Sequence, residues 1–131
     1  MEPEKLIELA REAMRMAYAP YSHFQVGAAL VTDDGRVFTG CNVENASYGA
    51  AICAERTAAV KAVSEGARRF AMLAVVSSSG RATPPCGICR QFLSEFSADL
   101  RVWMEDRGTI LCRSLAELMP MSQLPLEETA G

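Results

Sequence analysis

Two short cysteine-bearing segments, Cys53-Ala54-Glu55 and Pro85-Cys86-Gly87-Ile88-Cys89, constrain this chain more than any other feature of its sequence. Each reads as the start of a helix, and the two stand far apart along the chain. If their thiolates share one ion, the fold must set two helix N-termini side by side at the end of a sheet. Helix starts favour thiolates through unpaired N–H groups and the backbone dipole. So arranged, Cys53, Cys86 and Cys89 would hold three sulfurs at about 2.3 Å from Zn²⁺. Three protein ligands leave the fourth tetrahedral position open, which separates a catalytic zinc from a structural one. Glu55 stands two residues after the first ligand, near enough to handle the protons of a water there. The pattern is that of an enzyme.

Charge then singles out Arg56. Three thiolates on Zn²⁺ leave a formal charge of about −1, which weakens the ion as a Lewis acid compared with imidazole-ligated zinc. A guanidinium donating hydrogen bonds to the sulfurs restores part of that acidity. A surface arginine on a helix is the plainer alternative. His23 is the only histidine. Counting alone leaves open a set of two cysteines and His23, but that residue lies in a polar turn where simple exposure suffices. A CxxC pair taken alone also fits a thioredoxin-like redox motif; the upstream Cys-Ala-Glu shifts the balance to zinc.

Elsewhere the pattern alternates helix and strand. Glu2 to Ala19 carries an apolar stripe (Leu6, Leu9, Ala10, Ala13, Met14, Ala17) with Pro3 in its first turn, so it reads as an amphipathic helix ended by Pro20. Phe24 to Thr32 and Arg36 to Cys41 are apolar runs around Asp33-Asp34-Gly35, a β-hairpin signature. Asn42 to Ala51 is a polar loop crossing toward the metal. Cys53 to Glu65 is an Ala-rich helix stopped by Gly66. Phe70 to Ser78 is a strand buried on both faces. Cys86 to Ser97 is a helix with Ile88, Phe92, Leu93 and Phe96 on one side. Leu100 to Met104 and Thr109 to Leu111 are strands around Asp106-Arg107-Gly108. Ser114-Leu115-Ala116-Glu117 matches a capping box for a short last helix limited by Pro120. The order α-β-β-α-β-α-β-β-α describes an α/β fold: a three-layer α-β-α sandwich on one five-stranded mixed sheet. Residues 1–131 are expected to form a single domain, with a tail from about 121 poor in packing residues and partly mobile.

Composition narrows the partners. A net charge of −3 without a dense Lys/Arg stripe argues against binding a nucleic-acid polymer through its phosphates. No apolar run is long enough to span a membrane, and the acidic amphipathic N-terminus does not resemble a signal peptide. Five cysteines do not pair into a disulfide framework, which fits a reducing cytoplasm. Cys41 and Cys112, within apolar strands, are expected to be plain buried cysteines.

Four stretches carry a specific resemblance: Tyr21-Ser22-His23-Phe24-Gln25-Val26-Gly27-Ala28-Ala29-Leu30, Gly40-Cys41-Asn42-Val43-Glu44-Asn45-Ala46-Ser47-Tyr48, Cys53-Ala54-Glu55-Arg56, and Pro85-Cys86-Gly87-Ile88-Cys89-Arg90-Gln91. In order and spacing, from about Leu6 to Pro120, the chain resembles the small homotetrameric cytidine deaminases. The resemblance implies one Zn²⁺ per subunit on Cys53, Cys86 and Cys89. It implies that Glu55 shuttles protons while cytidine or 2′-deoxycytidine is hydrolysed to the uracil nucleoside and ammonia, a pyrimidine-salvage step. Arg56 would balance the thiolate charge, with Gln91 beside it. Asn42 and Glu44 would bind the sugar hydroxyl, with Val43 setting the loop between them. Phe24 would pack on the pyrimidine, and the Ala54 backbone would read the base edge. Ala46 and Tyr48 would approach a neighbouring subunit's site. Two departures stand out. Where many relatives carry a phenylalanine near the C-terminus this chain has Gln123, leaving that apolar wall to Leu124, and Pro84 stands where a hydroxyl residue is frequent.

Three rivals remain. Asn42-Val43-Glu44-Asn45 favours a sugar reader over a deaminase for a nucleoside antibiotic of the blasticidin type. A structural zinc module needs Cys41 or Cys112 to complete a four-sulfur shell. Polynucleotide editing is disfavoured by short loops and negative charge.

Overall fold

The computed structural model describes residues 1–121. The expectations for Gln123, Leu124 and the tail lie outside the described residues. Helix α1 (Pro3–Met14) is followed by strands β1 (Val26–Thr32) and β2 (Val37–Cys41), helix α2 (Ala54–Ser64), strand β3 (Phe70–Ser77), helix α3 (Gly87–Ser94), strands β4 (Arg101–Asp106) and β5 (Thr109–Ser114), and helix α4 (Leu115–Leu118). The five strands form one mixed sheet in the order β2-β1-β3-β4-β5. β1 is antiparallel to both β2 and β3, β3 is parallel to β4, and β4 is antiparallel to β5.

Period-two alternation splits the sheet into two packed faces. Ala29, Val31, Ala74 and Val76 meet Leu6, Ile7 and Ala10 of α1. Ala28, Leu30, Leu73, Val75, Val102 and Met104 face the other way, against Ala54, Ala58, Ala59 and Ala62 of α2, Leu93 of α3 and Leu115. β3 is thus covered on both sides, as its unbroken apolar run implies. Burying a side chain such as Leu73 contributes about 1.5–3 kcal/mol.

Two glycines allow the helices to lie so close. A Cβ on Gly27 would sit 1.9 Å from the Ala10 carbonyl oxygen, and one on Gly40 would sit 2.6 Å from the Ala54 carbonyl oxygen. Small residues at these contacts let backbone meet backbone. The capping box forms as the sequence suggests: Glu117 N–H donates to Ser114 Oγ at 3.2 Å, and Ser114 N–H donates to Glu117 Oε1 at 2.8 Å.

Several boundaries differ from the sequence expectation, each for a tertiary reason. α1 ends at Met14, not Ala19. Met16 and Ala17 donate to carbonyls three residues back, and then the Tyr18 N–H donates to Asn42 O while Tyr18 O accepts from Glu44 N–H. That loop takes the backbone groups a longer helix would need. β1 begins at Val26 rather than Phe24 because side chains, not a neighbouring strand, hold the Phe24 backbone. α3 ends at Ser94 rather than Ser97, whose hydroxyl accepts from Phe70 N–H at 2.8 Å. β5 runs on to Ser114, paired with Arg101. Cys41 and Cys112 are half-buried rather than buried, because they lie on the two edge strands.

Candidate active site

β2 and β3 run the same way, so the chain leaving their carboxyl ends emerges on one side of the sheet. α2 and α3 both start there, the usual place for a ligand site in an α/β sheet. Cys53 is the N-cap of α2, Cys86 is the N-cap of α3, and Cys89 lies in the first turn of α3. The three sulfurs lie within 4.8 Å of one another, with Cys53 Sγ and Cys86 Sγ 3.5 Å apart. Sulfurs at about 2.3 Å from one tetrahedral ion stand roughly 3.8 Å apart, so the cluster has the right size for zinc. No fourth cysteine, histidine or carboxylate joins it among the described residues. Neither Cys41 nor Cys112 belongs to the cluster, which counts against the four-sulfur module.

Electrostatics agrees with a cation site. Without metal, the Cys53 thiol falls to about 5, held first by a hydrogen bond from Cys89, then by Cys86 and Arg56, against the opposing effect of burial. Cys89 is pushed up, because it supplies the proton in that contact and is buried. Cys53 and Cys89 therefore share a proton rather than both ionising, and a divalent cation is what would release it. Arg56 Nη2 lies 4.0 Å from Cys53 Sγ and 3.5 Å from the Ala51 carbonyl oxygen. Its Nε is buried without a hydrogen-bond partner among the described residues. This is no surface arginine.

Glu55, in the first turn of α2, is 4% exposed. Burial, followed by the nearby Cys53 charge, raises its carboxyl to about 7. At neutral pH it is therefore both an acid and a base, the condition for proton transfer in either direction.

Cys53, Glu55, Arg56 and Cys86 line a cleft of about 460 Å³, with Cys89 buried next to them, within the size range of small-molecule sites. Phe24, Asn42, Val43, Glu44, Tyr48 and Ala54 line it. Phe24 is 40% exposed, and Tyr48 at the rim is 83% exposed. The Glu44 carboxylate accepts from the Tyr21 and Ser22 N–H groups and from the Ser22 hydroxyl. The Ser22 hydroxyl is the main reason its carboxyl lies below the usual range. Asn42 Oδ1 accepts from Val26 N–H and its Nδ2 donates to the Phe24 carbonyl oxygen, both at 2.8 Å.

Some expected residues lie apart. Ala46 is exposed and outside the cleft lining. Gln91 lines a separate hollow on α3 with Phe92 and Phe96. Ile88, expected on the packed side of α3, is 67% exposed at the cleft's edge. His23 is exposed and not in the lining. Sequence reasoning passed over Ile52 and Thr83, which do line the cleft. Thr83 carried one signal: a hydroxyl just before the Pro-Pro-Cys run.

Residues 1–105 match the family described as "Cytidine and deoxycytidylate deaminase zinc-binding region". The chain belongs to this family. Cytidine deaminase of Halalkalibacterium halodurans is 49% identical over 122 residues, covering 92% of each chain. That of Sporosarcina psychrophila is 46% identical, covering 92% of this chain and 90% of the relative. The crystal structure of cytidine deaminase from Burkholderia pseudomallei superposes with a TM-score of 0.87 at 49% identity, covering 92% of this chain and 98% of that one. This deaminase is an enzyme of the hydrolytic class. Its sulfur cluster, the Glu55 carboxylate and the cleft lie together where the chain leaves β2 and β3.

Proposed function

We propose that this deaminase converts cytidine and 2′-deoxycytidine to uridine and 2′-deoxyuridine with release of ammonia, a pyrimidine-salvage reaction. The observation that carries this is a buried Glu55, its carboxyl raised to about 7, beside three converging sulfurs at a nucleoside-sized cleft lined by Cys53 and Cys86. Cys53, Cys86 and Cys89 would hold one Zn²⁺ per subunit, which when bound polarises the attacking water and makes it nucleophilic at neutral pH. Glu55 takes a proton from that water and delivers it to N3 of the pyrimidine as oxygen bonds to C4. It then takes the remaining proton from the new C4 hydroxyl and delivers it to the exocyclic amine, and the C4–N bond breaks to give ammonia and a C4 carbonyl. Transfers of this kind are typically worth ~10²–10⁴-fold. Arg56 donates toward the sulfurs and offsets their charge.

Phe24 packs against the base, and the Ala54 backbone meets its edge. Glu44 and Asn42 take the sugar, with Val43 between them. Glu44 is anionic and would repel a phosphate, which favours nucleosides over nucleotides. The exposure of Tyr48 at the cleft rim, with Ala46 exposed two residues before it, supports a homotetramer in which neighbouring copies complete each pocket. No helix among the described residues is long and apolar enough to cross a membrane.

The test is spectrophotometric. The cytidine absorbance band should disappear on adding enzyme. An unchanged band with cytidine, alongside turnover of a different aminopyrimidine, would overturn the substrate assignment.

A further inference from the structure

The geometry points to Ser22 as a positioning residue that fixes Glu44 and Phe24 together, and so sets how the sugar hydroxyl is read; this rests on the sugar-binding role proposed for Glu44. Ser22 itself is outside the cleft lining. It faces a neighbouring hollow that shares Glu44 and Tyr48 with the cleft. Its hydroxyl has one proton to give and two lone pairs. The proton goes to Glu44 Oε2, and the oxygen accepts from the Phe24 N–H at 3.0 Å. The Ser22 backbone N–H adds a bond to Glu44 Oε1 at 3.2 Å. One side chain thus ties the carboxylate to the aromatic wall.

Two further observations place this device under constraint. Between Ser22 and Phe24, His23 holds φ at +61°, left-handed backbone that is strained for a residue with a Cβ and persists only where surrounding bonds hold it. The Phe24 carbonyl is in turn held by Asn42 Nδ2 at 2.8 Å. Phe24 is therefore fixed at its N–H by Ser22 and at its carbonyl by Asn42.

Counting acceptors gives a consequence for recognition. A carboxylate offers about four lone-pair sites. The Tyr21 and Ser22 N–H groups fill both on Oε1, and the Ser22 hydroxyl fills one on Oε2. One acceptor remains, in a fixed direction, for a single ligand hydroxyl. Without the Ser22 hydroxyl only Oε1 stays tied, by the Tyr21 and Ser22 N–H groups, and binding must then order Oε2.

The experiment is steady-state kinetics on the holoenzyme with cytidine and its 2′-deoxy and 3′-deoxy analogues, for Ser22→Ala, Ser22→Thr and Glu44→Gln. Ser22→Ala should raise KM for cytidine by about tenfold, or about 1.4 kcal/mol, with kcat within about threefold. It should also flatten the preference for the analogue that keeps the hydroxyl read by Glu44. Ser22→Thr, which keeps the hydroxyl, should restore both. A wild-type KM and preference in Ser22→Ala would overturn the inference, as would equal damage in Ser22→Ala and Ser22→Thr, or a loss confined to kcat. Glu44→Gln separates the two levels. An unchanged preference there overturns the sugar reading and this inference with it. A lost preference there beside an unaffected Ser22→Ala overturns the inference alone.

Discussion

Replacing Gly40 by alanine tests how closely the sheet sets the start of α2. The added Cβ would lie 2.6 Å from both the Ala54 carbonyl oxygen and the Ala58 amide nitrogen, and 2.9 Å from Thr57 Cβ. Ordinary contact begins near 3.4 Å, so α2 and β2 must separate by about 0.8 Å. Two of the three obstacles are backbone atoms, which no rotamer change can move aside. Overpacking costs typically about 1–3 kcal/mol, and this site belongs at the upper end. With a urea m-value of roughly 1.5–2 kcal/mol per M, the unfolding midpoint should fall by about 1.5–2 M. The displaced residue Ala54 stands between Cys53 and Glu55. A shift approaching 1 Å there is expected to cost on the order of 10² in kcat. Urea unfolding followed by circular dichroism, with turnover measured on the same preparation, reads both effects. Gly49→Ala, where an added Cβ meets nothing within 4 Å, is the stability control. A Gly40→Ala protein with wild-type midpoint and turnover would refute the close-approach argument.

Other perturbations address the site directly. Glu55→Gln should keep its zinc and lose ~10²–10⁴-fold in kcat; robust turnover would remove Glu55 from its role. Because burial raises the Glu55 carboxyl from 4.5 to about 7, its contribution to stability is full below pH 4.5 and lost as pH rises through 7. Wild type should therefore lose about 3 kcal/mol relative to Glu55→Gln between pH 4 and pH 8, and a pH-independent difference in their urea midpoints would contradict this. Cys86→Ala should lose both bound metal and folded stability, since the two are coupled; unchanged zinc content by elemental analysis would count against it as a ligand. Arg56→Ala should keep fold and zinc while turnover falls by roughly tenfold, and a wild-type rate would mean that the sulfur charge is offset elsewhere.

The layers, the hairpin, the capping box and the two helix starts were legible because local pattern determines them. Cys53 and Cys86 read as helix openings, and the structure makes each an N-cap. What sequence periodicity missed depends on contacts between distant segments. The apolar stripe of α1 continues to Ala17, yet the backbone of Tyr18 is taken by Asn42 and Glu44, so the helix ends early. Ile88 has the spacing of a core residue but sits in the first turn of α3, beyond the sheet that buries Leu93. The half-exposure of Cys41 and Cys112 follows from strand order, which no local pattern encodes. Gln91 shares a helix with Cys89, but its side chain faces a different hollow. Ser22 stood inside a stretch that carries the family resemblance, but its contact with Glu44 is visible only when residues 22 and 44 meet.

X-ray absorption at the zinc edge on the purified enzyme addresses the metal centre most directly. A first shell of three sulfurs at about 2.3 Å and one lighter atom at about 2.0 Å is the expected result. Four sulfurs, or fewer than three, would contradict a centre built from Cys53, Cys86 and Cys89 with one position left for chemistry.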